Sequence, residues 1–259
     1  MVQGTRLMQL TRADIETLAS LDDMRSLSIS TDSISNTACT LLGFQRTKQI
    51  SRQSRLTWET GDKALLEQEV KDRRDDIIQG AMLEIYQEYI PLKQSLAGAK
   101  IKSVCDIGCG QGINDVFLQN DFQPSFTLVD IEETDDQYHN WADSGSGYAS
   151  LESAKNLLME NGVPVSSIEM VNPSKDTRDI NFETFDLVTS LYSCGFHYPV
   201  DEYIDLFVNT VKKGGAVCLD IRGRYLKQGG EGLSKLRAVA EMEVVYNDNK
   251  SVRALFRKS

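Results

Sequence analysis

Histidine is scarce in this chain, at two in 259 residues, and basic charge is in short supply. Lys and Arg together number 28 against 38 Asp and Glu, a net charge of −10. That balance disfavours a nucleic-acid partner, because binding to phosphates needs a basic surface, although it leaves room for a local basic path. The five cysteines lack zinc-knuckle spacing. Four of them, Cys105, Cys109, Cys194 and Cys218, fall in or beside expected strands and read as small buried thiols in a reducing compartment, not as a disulfide framework. No apolar stretch approaches the roughly 20 residues that span a bilayer, so no membrane span is expected. Arg6, Arg12 and Asp14 break the apolar runs near the start, which predicts no signal peptide and a cytoplasmic location. What is present, 41% apolar and 25% charged residues, describes an ordinary globular protein. The length suits one large domain, or a core domain with a helical extension.

The most informative stretch is Val104-Cys105-Asp106-Ile107-Gly108-Cys109-Gly110-Gln111-Gly112. An apolar run ends in an acid and a glycine-rich turn follows at once. The next strand-like run, 125–129, ends in a second acid, Asp130. This is the layout of a nucleoside-binding βαβ unit. Glycines let the backbone turn sharply near a ligand, and a carboxylate ending the second strand accepts hydrogen bonds from both ribose hydroxyls. The spacing is D-x-G-x-G-x-G, not the G-x-G-x-x-G that wraps a dinucleotide pyrophosphate.

Elsewhere the chain divides into two parts. Residues 1–98 contain no convincing strand and are expected to form a helical extension or lid. Thr11 and Asp14 predict a short helix to about Ser20, and residues 28–40, rich in Ser and Thr, fit either a loop or a weak helix. From Asp62, apolar residues Leu66, Val70, Ile77, Ala81, Ile85 and Tyr89 recur at nearly helical spacing, with Pro91 expected to stop the run and Gly80 to bend it. Residues 99–259 alternate. Strands are expected near 101–106, 125–130, 168–171, 185–190 and 215–221, and helices near 112–120, 149–161 and 200–211, which implies a Rossmann-like α/β domain with a mostly parallel sheet. Two further apolar runs, 242–246 and 252–256, joined by Asn247-Asp248-Asn249-Lys250, predict a C-terminal antiparallel hairpin and seven strands in all.

The glycine turn with its two acids resembles motif I of the class I methyltransferases that use S-adenosyl-L-methionine, and the terminal antiparallel pair is similar to the end of that fold. The resemblance covers residues 100–259. It implies that the turn of Gly108, Cys109, Gly110 and Gly112 faces the amino-acid end of the cofactor, whose carboxylate suits donors near a helix N-terminus. Asp106 would orient the loop or meet the cofactor ammonium through water. Asp130 would hold the ribose, at about 1.5–3 kcal/mol per charge-assisted bond, and Ile131 would lie against the adenine. Ser190 and Leu191 would line the site from the end of the fourth strand, where open α/β sheets place ligands. Asn172, Pro173 and Ser174 stand where the family commonly has an acid beside the adenine amino group.

The acceptor side is written less clearly. His197, in Ser193-Cys194-Gly195-Phe196-His197-Tyr198-Pro199, is either a general base for a hydroxyl acceptor or a structural hydrogen bonder that pins the loop. Residues 132–148 are too long for an ordinary junction of about 2–6 residues, and combine Glu132, Glu133, Asp135 and Asp136 with Tyr138, His139, Trp141 and Tyr148. Acids with aromatics suit a sugar ring, and equally make a solvated loop. Together with the 196–199 segment they resemble, loosely, bacterial methyltransferases of surface glycans, which implies O-methylation of a sugar or glycan-related acceptor. The alternatives are methylation of N or O on another small metabolite, and a scaffold that binds cofactor without turnover. Arg46, Lys48, Arg52 and Arg55 would hold a phosphate-bearing substrate or pair with neighbouring helix acids. No metal site is expected, and the sequence does not indicate an oligomeric state.

Overall fold

A computed structural model describes residues 12–131, 149–175, 185–209, 211–247 and 251–259. Four helices come first: α1 (Arg12–Ser26), α2 (Asn36–Gln45), α3 (Arg52–Glu59) and α4 (Ala64–Ser95). The helix expected to end near Ser20 runs on to Ser26, because Met24 in its last turns is buried in the core. The 28–40 segment is loop and then helix. Ser35 caps α2, its hydroxyl accepting the Ala38 N–H at 3.1 Å, and every residue from Ala38 to Phe44 is buried.

Two expectations for α4 are corrected. Pro91 does not end it; the helix continues to Ser95. Burial of Leu92 and Leu96 and the Lys93–Asp121 ion pair (2.8 Å) hold this extra turn and offset the hydrogen bond that proline removes. Gly80 is not the bend, which falls at Arg73 (φ −136°, ψ 24°). Gly80 is small for another reason: a Cβ there would sit 1.9 Å from Gln49 Oε1. The apolar stripe is as expected, with Leu66, Val70, Ile77, Ala81 and Tyr89 buried, each of the larger ones contributing about 1.5–3 kcal/mol.

The second part alternates as expected: β1 (Ser103–Ile107), α5 (Ile113–Phe122), β2 (Ser125–Val129), α6 (Leu151–Glu160), β3 (Ile168–Val171), β4 (Phe185–Ser190), α7 (Ile204–Asn209), β5 (Val211–Arg222), α8 (Gly223–Gln228), α9 (Glu231–Val239), β6 (Glu241–Asn247) and β7 (Ser251–Arg257). Of these, α8 and α9 are helices not expected from the sequence. The sheet order is β3-β2-β1-β4-β5-β7-β6, parallel except for β7, which is antiparallel to both neighbours. This is the Rossmann-like, seven-stranded sheet with a C-terminal antiparallel hairpin. The expected hairpin turn at 248–250 and the acidic aromatic segment 132–148 lie outside the described residues.

Strand alternation sorts the side chains between two cores. Cys105 and Ile107 of β1, with Leu219 and Ile221 of β5, pack against α7 and α9. Val104, Leu187, Cys218 and Leu255 face the other way, in one continuous core with α5, α6, Leu42 of α2 and the buried stripe of α4. The N-terminal helices therefore cover one face of the sheet, and the polar residues that share the register of Val104 and Cys218 project toward them.

Candidate functional site

The turn from β1 into α5 runs beneath the end of β2. Gly108 N–H donates to Val129 O (2.7 Å), and Gly110 N–H donates to Asp130 Oδ2 (2.8 Å), so the second acid fastens the glycine turn directly. Ile131 N–H donates to the other oxygen, Asp130 Oδ1, at 2.8 Å. Asp130 is half-buried, and desolvation pushes its carboxyl up to about 7 against the pull of these two N–H groups. Gly108 has φ 73°, and a Cβ there would stand 2.2 Å from Ser193 Oγ, so the glycine turn and the loop after β4 touch. A Cβ on Gly110 (φ 56°) would meet no atom within 4 Å, so this part of the turn faces open space. Cys109 is buried and desolvation holds its thiol far above the usual range, so it is an inert filler.

Asp106 faces the helical layer from the middle of the sheet. Opposite it in register is Thr189, whose hydroxyl donates to Asp106 Oδ1 at 2.6 Å. A residue that sequence reasoning missed completes the arrangement: Asp115, in the first turn of α5, is fully buried and no donor reaches its oxygens. Burial raises both acids, Asp106 to about 6 and Asp115 much further, with the neighbouring Asp106 charge adding to the shift on Asp115, so Asp115 stays protonated beside Asp106. Asp106 is thus tied to β4 through Thr189. The only sequence signal for Asp115 was an acid in the first turn of a helix, which ordinarily means a solvated dipole partner.

Ser190 is buried with its hydroxyl committed, donating to Ile107 O (2.8 Å) and accepting from Cys194 N (3.0 Å). Its side chain fixes the loop after β4. Leu191 and Ile131 are half-buried at the strand ends. Asn172 is buried and takes the Ser174 N–H on its side-chain oxygen at 3.0 Å, which closes the turn after β3.

The 193–198 loop is a tight knot, with Phe196, His197 and Tyr198 N–H groups all donating to Ser193 O (3.0, 2.8 and 3.1 Å) and Gly195 N–H donating to Tyr198 O (2.7 Å). His197 is exposed at its tip, its ring edge-on to Phe196 at 4.9 Å. Among the described residues its imidazole makes no hydrogen bond; the backbone alone holds the loop. Desolvation and then the nearby Arg222 lower its pKa, so the ring is neutral at pH 7.

Next to this loop lies a charged network built from distant parts of the chain. Asp220 of β5 and Arg253 of β7 are register partners, each about 1% exposed, joined by two bonds of 2.8 and 2.7 Å. Arg253 also donates to the Glu88 carbonyl of α4 (2.8 Å). The Glu88 carboxylate takes both prongs of Arg46 (2.6 and 3.1 Å) and the Tyr192 hydroxyl (3.3 Å). Tyr192 has φ 53°, in the left-handed region, with Arg46 5.4 Å and Arg253 6.0 Å from its ring centre. Burial, then the charges of Glu88 and Asp220, raise its phenol above the usual range, so it stays a neutral donor. Within the basic stretch, Arg46 pairs with Glu88 and Arg55 lies 3.8 Å from Glu59, so the reading of paired helix acids holds for these two.

All five cysteines are free and buried. Among the described residues no cluster of His, Cys, Asp and Glu is placed to hold a metal, and no helix is long and apolar enough to cross a membrane.

No family model and no curated protein matches the chain. Solved structures do resemble it. They include the ribosomal protein L11 methylase of Lactobacillus delbrueckii subsp. bulgaricus, with 19% identity, 65% of this chain and 76% of that one covered, and a TM-score of 0.44. A methyltransferase from Pyrococcus furiosus shows 16% identity over 68% of this chain and 83% of that one, with a TM-score of 0.46. Precorrin-6y C5,15-methyltransferase from Geobacter metallireducens shows 17% identity over 67% of this chain and 89% of that one, with a TM-score of 0.44.

Proposed function

We propose that this chain is an S-adenosyl-L-methionine-dependent methyltransferase acting on a small acceptor. The observation that carries the reading is the joint between the glycine turn and Asp130, at the carboxyl ends of β1 and β2 of a Rossmann-like sheet whose β7 is antiparallel. The residues fit the cofactor: Gly110 leaves space above the turn, and Asp130 retains lone pairs for two ribose hydroxyls while accepting one N–H on each oxygen. Asp106 and Asp115 would keep the turn in shape from beneath. The bound cofactor would supply a methyl group already activated by a sulfonium. The chain's own task is then to bind, align and exclude water.

For a hydroxyl acceptor, His197 is the proposed base, since an exposed imidazole that is neutral at pH 7 is able to accept the proton. Tyr192 is not suited to that task, with its phenol held protonated against Glu88. The N-terminal layer, through Arg46 and Glu88, would cover the acceptor side. A sugar hydroxyl remains a candidate acceptor; the aromatic segment that suggested it lies outside the described residues.

The test is titration calorimetry with S-adenosyl-L-methionine on wild type and Asp130→Ala. Losing two bonds of about 1–2 kcal/mol net predicts affinity at least tenfold weaker in the variant. No heat from the wild type, or equal affinity in both, overturns the reading. With an acceptor in hand, His197→Ala should slow transfer about 10²–10⁴-fold with cofactor affinity nearly unchanged.

A further inference from the structure

Rings and guanidinium groups form a continuous ladder along the carboxyl ends of the strands. Arg46 lies over Tyr192 (5.4 Å), Tyr192 meets Phe196 edge-on (5.1 Å), and Arg222 lies over Phe196 at 4.5 Å. The two ends differ in how their charge is spent. Arg46 is held by Glu88 through two hydrogen bonds, and the neighbouring Arg253 by Asp220 through two more. Arg222 has no carboxylate partner among the described residues. In a chain of net charge −10, an arginine without a carboxylate partner among the described residues, beside the loop that touches the glycine turn, is available to an anion.

Its position is fixed. Arg222 ends β5, and its backbone N–H donates to Gly195 O at 3.0 Å, which ties the strand end to the 193–198 loop. It is half-buried, so less screened by salt than a surface arginine. A guanidinium over a ring occupies its face, while its edge N–H groups remain free for a planar, two-pronged partner. Phe196 also carries His197 on its edge, and Ser193 of the same loop touches the glycine turn. A group held by Arg222 therefore brings the rest of its molecule to His197.

We propose that Arg222, held over Phe196 beside His197, binds an oxyanion group of the acceptor, a carboxylate or a phosphate. This rests on the methyl-transfer reading for the word acceptor, but the anion site itself is tested without cofactor. The probes are sodium acetate and inorganic phosphate, titrated separately at constant ionic strength into the full chain labelled with ¹⁵N-histidine. The His197 resonance is identified by its absence in His197→Asn.

The expected result is a saturable shift of the His197 signal with one of the two anions, and that anion names the class. Arg222→Gln should weaken the response at least tenfold, Arg222→Lys should restore part of it, and S-adenosyl-L-methionine affinity should stay within twofold in both variants. No saturable shift with either anion overturns the proposal, as does an equal shift in Arg222→Gln. A variant that loses anion response and cofactor binding together also overturns it, since Arg222 would then be a folding residue. Wild-type chain that binds the anion but not the cofactor keeps the anion site and discards methyl transfer.

Discussion

The β1–β2 end of the sheet and the β4–β5–β7 end solve the problem of buried charge in opposite ways. At the first, three carboxyls, Asp106, Asp115 and Asp130, gather around a glycine turn with no arginine among the described residues bonded to them, and burial raises all three. They persist by keeping or sharing protons and by accepting N–H and hydroxyl groups. At the second, Asp220 and Glu88 are matched by Arg253 and Arg46, and the charges cancel in place. The acidic end is therefore poised to change with pH and to welcome hydrogen-bond donors. The ion-paired end is a rigid clamp between the N-terminal helices and the loop after β4.

The sharpest way to break the clamp is Arg253→Met. It leaves Asp220 buried and unpaired, and removal of one member of a buried pair costs about 3–5 kcal/mol. A melting temperature about 10 °C lower is expected by calorimetric scanning. Adding Asp220→Leu should recover much of the loss, and a double variant as unstable as the single one would show that the pair does not act as a unit.

The next effect strikes the junction of the two ends. Gly108→Ala forces a left-handed backbone on alanine and drives its methyl into Ser193, together worth about 2–4 kcal/mol. Cofactor affinity should fall about 10²-fold in titration, with Gly98→Ala, at the open turn before β1, as a control that leaves it unchanged.

At the acidic end the effects turn on protons. Because a ribose ligand favours the ionised form, affinity should be lost as pH falls through about 7, the value to which burial raises Asp130. Binding about tenfold weaker at pH 5.5 than at pH 8 is expected from calorimetry, with a flat profile in Asp130→Asn.

The smallest effect concerns Asp115. Its folded pKa and that of Asp106 are raised, so from about pH 4 upward the unfolded chain releases protons that the folded chain keeps. Stability then declines as pH rises through about 6. Asp115→Asn keeps the size of the side chain without the titration, so thermal melts between pH 4 and pH 8 should flatten with little change at pH 4. An unaltered slope would mean that the two acids do not share a proton.

The alternation of strands and helices was legible because apolar periodicity is a local property, and a mostly parallel sheet followed from it. The glycine turn and Asp130 were legible for the same reason: a turn, a strand end and their acids lie within one βαβ unit. Pro91 and Gly80 misled because local propensity is weak beside burial. Leu92, Leu96 and the Lys93–Asp121 pair hold the helix past its proline, and Gln49, far off in sequence, is what Gly80 accommodates. Asp115 escaped notice because its burial beside Asp106 is set by how α5 packs on the sheet.

Sequence by itself thus determined the strands, most of the helices between them, the parallel sheet and the glycine turn, all set by spacing within a few tens of residues. Only the tertiary structure decided what surrounds His197, Tyr192 and the arginines. Arg46, Glu88, Tyr192, Asp220 and Arg253 come from the end of α2, α4, the loop after β4, β5 and β7, and their pairing depends on which face of β5 and β7 the register turns toward α4. That register is a property of the whole sheet, because one residue of slip in β5 or β7 would send Asp220 or Arg253 to the opposite face.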